Sequence, residues 1–92
     1  MNTKQRIALA KIGHPKHLDA LVHDNDPRVR RQVAWKGNDK HRDILVHDKD
    51  TWVRRYVAES GNKNHARQLL NDSSGYVRKT ARDRLIELSR TT

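Results

Sequence analysis

The sequence predicts an all-α protein, a short right-handed α-solenoid of about three and a half to four two-helix units closed by a longer C-terminal helix. Two observations carry this. Residue types return every 24 positions, as in Val29, Val53 and Val77, with no insertion. Each 24-residue row also divides at a glycine (Gly13, Gly37, Gly61) into two stretches of helical periodicity. Neither stretch reaches the ~12–15 residues that hold a helix in water, so stability has to come from stacking unit on unit. The rows run from about 3–25, 26–49, 50–73 and 74–90, within one domain spanning 1–92.

The second row shows the elements most clearly. Asp26 is a good N-cap, and Pro27 suits the first helical position. Val29 and Val33 then share a face with Ala34 beside them. Gly37 is expected to end this helix in a left-handed conformation. Asn38 or Asp39 can cap a second stretch, on which His41, Ile44 and Leu45 share a face. His47 and the polar run from Asp48 to Thr51 return the chain to the next row.

The ends differ. Ile7 and Ile12 stand where Arg31 and Lys36 stand one row on, so the first helix is expected to pack differently. At the far end Leu85 replaces the glycine, and Val77, Ala81, Leu85 and Leu88 keep helical spacing. One longer helix, from about Tyr76 to Ser89, is expected there as a cap.

Composition narrows the function. The chain has 92 residues, 20 Lys plus Arg against 11 Asp plus Glu, and a formal charge of +9 with its six His neutral. Apolar residues make up 34%, and mean hydropathy is -1.07. No apolar run approaches the ~20 residues of a membrane helix, and no signal-peptide pattern opens the chain. A cytoplasmic protein without membrane contact is expected. Cysteine is absent, which removes disulfides, thiolate metal sites and a Cys nucleophile. There is no glycine-rich phosphate loop, nucleophile elbow or His-Glu-x-x-His motif, so no enzyme is expected.

The strings from Asp26 to Ala34 (DPRVRRQVA) and from Asp50 to Ala58 (DTWVRRYVA) resemble the helix signature of HEAT and HEAT-like repeats. The 24-residue period is shorter than a usual HEAT unit. It is closer to that of the leucine-rich variant repeat, a solenoid that pairs an α-helix with a shorter, often 3₁₀-type, helix. The resemblance runs from about Arg6 to Leu85. It implies architecture and almost nothing about activity. The iron–sulfur cluster known in that type needs a cysteine-rich segment that this chain lacks, so no cofactor is expected. The prolines often found between the two helices appear only as Pro15, which leaves the second stretch open to either helix type.

Stacked helices lie ~8–10 Å apart, so the polar columns would form rows at that spacing. Arg30, Arg54 and Arg78 are expected to form a structural ladder with Asp24, Asp48 and Asp72, as the resemblance implies and as bidentate Arg–carboxylate geometry favours. A phosphate-tracking role for the same arginines is the alternative. His17, His41 and His65 are expected to hydrogen-bond the loop between helices. Rungs so far apart cannot share an ion whose ligands lie at ~2.0–2.1 Å, so no metal is expected.

The second basic column, Arg31, Arg55 and Lys79, reads as lacking a repeated acidic partner, as do Lys36, Arg42, Arg82 and Arg84. Trp35 falls in an otherwise acidic column and reads as an exposed interface anchor. Trp52 and Tyr76 read as packing between units. The candidate binding surface is therefore Arg31, Trp35, Lys36, Arg55, Tyr56, Lys79 and Arg82. It suits a non-catalytic, monomeric interaction module that docks on an acidic protein or nucleoprotein, as a small regulator or inhibitor of a larger machine. The alternative is sequence-nonspecific binding of the DNA or RNA phosphate backbone.

Overall fold

The computed structural model describes residues 1–90. Helices of ten and seven residues alternate: α1 (Thr3–Ile12), α2 (Pro15–Leu21), α3 (Pro27–Lys36), α4 (Asp39–Leu45), α5 (Thr51–Ser60), α6 (Lys63–Leu69) and the fifteen-residue α7 (Gly75–Ser89). No strand occurs among the described residues, and no helix there is long and apolar enough to cross a membrane. α2, α4 and α6 are α-helices, which settles the helix type of the second stretches.

Side chains set the helix starts. Asp26 accepts from the backbone N–H of Arg28, and Asp50 from that of Val53, each satisfying an orphan donor of the first turn. Asn38 and Asn62 cap α4 and α6 through a reciprocal box whose second member is a histidine. The last helix begins at Gly75, one residue before the expected start, and its N-cap Ser74 makes no side-chain cap bond.

The long helices pack side by side in chain order, α1 on α3, α3 on α5 and α5 on α7. Each short helix packs on the long helix before it and the one after it. Val29, Val33, Val53, Val57 and Val77 are completely buried where these elements meet, as are Ala34 and Ala58. Leu21, Leu45 and Leu69 close the core from the short helices. The radius of gyration is 12.9 Å, close to the about 12 Å of a compact chain of this length.

Three expectations about the core need correction. Ile44 and Ile12 are exposed; the face of α4 that meets the core is narrow and takes His41 and Leu45 instead. Trp52 and Tyr76 are exposed rather than packed between helices; the buried positions are taken by Val53, Val57 and Ala58 on α5 and by Val77 and Ala81 on α7. Gly37 and Gly61 have φ of -75° and -77°, ordinary extended backbone, and Gly13 alone is left-handed at φ 80°.

Gly37 and Gly61 are required by space rather than by dihedral angle. A Cβ on Gly37 would lie 2.5 Å from the Val33 carbonyl and 2.8 Å from Nδ1 of His41; on Gly61, 2.6 Å from the Val57 carbonyl and 2.8 Å from Nδ1 of His65. The chain passes so close there because each glycine N–H donates to that same carbonyl at 2.7 Å. Gly61→Ala is therefore expected to destabilise the protein by about 1–3 kcal/mol, the usual cost of overpacking a rigid contact. Urea denaturation should show a lower midpoint with an unchanged slope.

Candidate interaction surface

Two sets of buried polar contacts tie the helices together, and they decide which charges remain free. In the first, an arginine on a long helix bridges two loops. Arg30 donates through Nε (2.8 Å) and Nη2 (3.2 Å) to the carboxylate of Asp48, and through Nη1 (2.7 Å) to the carbonyl of Asp24. Arg54 does the same with Asp72 (2.7 and 3.2 Å) and the carbonyl of Asp48 (2.8 Å). Arg6 meets the carboxylate of Asp24 at 2.7 Å. Each of these aspartates also accepts the backbone N–H two residues on, from Asp26, Asp50 and Ser74. Arg78 keeps only the backbone half, with Nη1 on the Asp72 carbonyl at 2.8 Å.

In the second set, Nδ1 of His41 accepts from the Asn38 N–H (3.0 Å) while the His41 N–H donates to the Asn38 side chain (3.2 Å). An Nδ1 that accepts carries no proton, so the ring hydrogen sits on Nε2, which donates to Asp19 at 2.7 Å. His65 repeats the arrangement with Asn62 and with Asp43 at 2.6 Å. The histidines thus join α4 to α2 and α6 to α4. His17 is exposed and takes no such place. Among the described residues no group of three or more His, Asp or Glu side chains converges as a metal site.

Several cations read as free are engaged. Arg31 reaches Asp50 at 3.1 Å and Lys79 reaches Asp83 at 3.0 Å. Arg42 donates to the carbonyls of Ala34 (2.8 Å) and Trp35 (2.9 Å), and Arg84 to those of Gly61 (2.9 Å) and Ser60 (3.4 Å). These two arginines satisfy carbonyls at the C-termini of α3 and α5.

What remains open is the side of the long helices opposite their buried valines. On α3 it carries Arg28, Arg31 and Trp35; on α5, Trp52, Arg55 and Glu59; on α7, Tyr76, Lys79 and Asp83. Tyr56 lies at its edge, partly buried against the core. Of the chain's two Trp and two Tyr, Trp35, Trp52 and Tyr76 therefore share one face, with Tyr56 at its border. Trp35, Trp52 and Tyr76 are 52%, 46% and 73% exposed. Lys36 Nζ stands 4.6 Å from the Trp35 ring centroid, and the Arg55 guanidinium 5.1 Å from that of Trp52, within cation–π range. Arg82 is exposed but lies off this face, in the register of the buried Ala34 and Ala58.

Sequence reading missed Arg6, Asp19, Asp43 and Asp50 as partners. The 24-residue spacing of Asp19 and Asp43, matching that of His41 and His65, was the available signal.

The bridging carboxylates set an acid limit. For Asp50 and Asp72, burial alone pushes the carboxyl up. Hydrogen bonds from Arg31 and Arg54 and from backbone N–H groups outweigh it and hold both below the ordinary 3.8. The Arg28 side chain and N–H hold Asp26 at about 2. Folded-state values below the unfolded ones mean the stabilisation is complete above the unfolded value and is lost as protons bind the folded protein. The thermal midpoint is therefore expected to drop as pH falls from about 4 to about 2. Asp72→Asn, less stable at neutral pH, should lose less over that interval. Compared with known proteins, the chain matches no family model, no curated protein and no solved structure.

Proposed function

We propose that the chain is a non-catalytic interaction module of the HEAT-like solenoid type, which docks on an acidic protein or nucleoprotein surface through the open face of α3, α5 and α7. The serial packing of the long helices and the loop-bridging arginines at a constant 18-residue step to their aspartates support the architecture. The observation that carries the docking reading is the gathering of the exposed Trp35, Trp52 and Tyr76 onto one face beside Arg28, Arg31, Lys36 and Arg55. Trp, Tyr and Arg are the residues that dominate interface energetics, each commonly worth about 2 kcal/mol or more when truncated. An acidic partner suits the net charge of +9 and gains in encounter rate from it. A module of this size acts by covering a surface, in keeping with a regulator or inhibitor of a larger machine in the cytoplasm.

A protein partner fits this face better than a nucleic-acid backbone. Glu59 and Asp83 are exposed on it, and Arg31 and Lys79 are already paired with carboxylates. A uniform line of phosphates would meet alternating signs, whereas a protein surface can match them.

The triple variant Trp35→Ala, Trp52→Ala and Tyr76→Ala should fold normally, since none of the three is in the core. Pull-down from a nuclease-treated lysate is expected to retain a protein with the parent chain and to lose it with the triple variant. Capture that vanishes on nuclease treatment would favour the phosphate-backbone reading, for which Arg31→Glu, Arg55→Glu and Lys79→Glu together abolish binding. That binding would weaken with salt at a log–log slope of about -0.9 per neutralised phosphate on duplex DNA.

A further inference from the structure

Arg31 and Arg55 hold the same place in successive 24-residue rows, but only Arg31 meets a carboxylate there. Arg31 on α3 reaches nineteen residues on to Asp50, the N-cap of α5, with Nη2 at 3.1 Å and Nε at 3.4 Å from its two carboxylate oxygens. The same step from Arg55 on α5 arrives at Ser74, the N-cap of α7. A serine offers no carboxylate. The Arg55 side chain accordingly donates no hydrogen bond and makes no ion pair among the described residues, and its Nε is buried without a partner. Stacking on Trp52 orients the guanidinium all the same. A planar fork held in place, with its donors unmatched, is half of a bidentate pair.

The surroundings leave that half open. With Thr80, Arg84, Glu59, Asp83 and Glu87, Arg55 lines a cleft of about 240 Å³ between α5 and α7. Asp83 is engaged by Lys79 and Glu87 by Arg84, at 3.0 and 2.9 Å. Glu59 does not pair with Arg55, although it stands one turn along the same helix.

We infer that Arg55 is the anchor for an Asp or Glu side chain of the docked protein, whose carboxylate meets the Nη atoms of the guanidinium, the edge that is not buried. This inference rests on the docking reading above and names the contact at its centre. It also gives the Asp-to-Ser change at position 74 a purpose: the chain withholds its own carboxylate so that the partner supplies one.

The test fills the place from within. Ser74→Asp restores an internal partner for Arg55 and a cap for α7, so its thermal midpoint should rise by a few degrees. Its affinity for poly-L-glutamate, measured by fluorescence titration at low salt, should fall about tenfold through loss of the charge-assisted pair. Ser73→Asp, the same charge one residue away, should bind within about twofold of the parent. Arg55→Gln should lose affinity like Ser74→Asp but without the gain in midpoint. If Ser74→Asp binds poly-L-glutamate as well as the parent, or Ser73→Asp weakens it equally, the anchor is overturned while docking stands. A parent chain that ignores poly-L-glutamate overturns both. Binding confined to a thymidine oligonucleotide, and lowered by Ser74→Asp, would make the ligand phosphate and overturn the carboxylate assignment.

Discussion

The structure depends on one constraint: none of its helices, the longest of them apart, can hold itself in water. A helix of seven or ten residues spends too much backbone entropy on nucleation to be recovered by its own hydrogen bonds. Each must bury a face against its neighbours, and with 34% apolar residues the supply is thin. The chain meets this with a narrow buried seam on each long helix, Ala10 on α1, Val29, Val33 and Ala34 on α3, Val53, Val57 and Ala58 on α5, and Val77 and Ala81 on α7. Completely buried Val29, Val53 and Val77 each remove a side chain from water, worth about 1.5–3 kcal/mol apiece.

Since apolar burial is scarce, polar groups carry the joints between elements. The bridges of Arg30 and Arg54 are partly buried and bidentate, and each satisfies a loop carbonyl as well as a carboxylate, leaving few donors unmatched. Such pairs are costly to break from one side, because the remaining charge is left desolvated. The histidine–asparagine boxes work the same way at the short helices, where the neutral ring links a backbone donor on one side to a carboxylate on the other. Arg42 and Arg84 close helix ends. Much of the large positive charge is thus structural, and the portion left to attract a partner is smaller than composition suggests.

This division explains where function can reside. The seam and the loops are committed to holding the stack together. The opposite side of the long helices carries fewer such contacts, the Arg31–Asp50 pair among them, and there Trp35, Trp52 and Tyr76 collect. Arg55 is the point where both systems meet, since it stands one row on from Arg31 but lacks the carboxylate that Arg31 holds. A residue of this kind is invisible to composition and easily mistaken for one more solvated cation.

The repeat period, the helix caps at Asp26 and Asp50, the buried valine columns and the longer last helix were legible because each follows from local chemistry repeated at a fixed spacing. Helix boundaries need only caps, breakers and periodicity, all of which lie within a few residues of one another. The pairing of Arg31 with Asp50, of His65 with Asp43 and of Arg84 with the end of α5 was decided only when helices distant in sequence were brought together. Periodicity says which side chains stand in a row, but not whether a row faces its partner, a backbone carbonyl or solvent. The exposure of Trp52 and Tyr76 and the extended backbone at Gly37 and Gly61 belong to the same category. They are set by how closely one helix approaches the next, a distance fixed by packing of the whole chain and encoded in no single stretch of it.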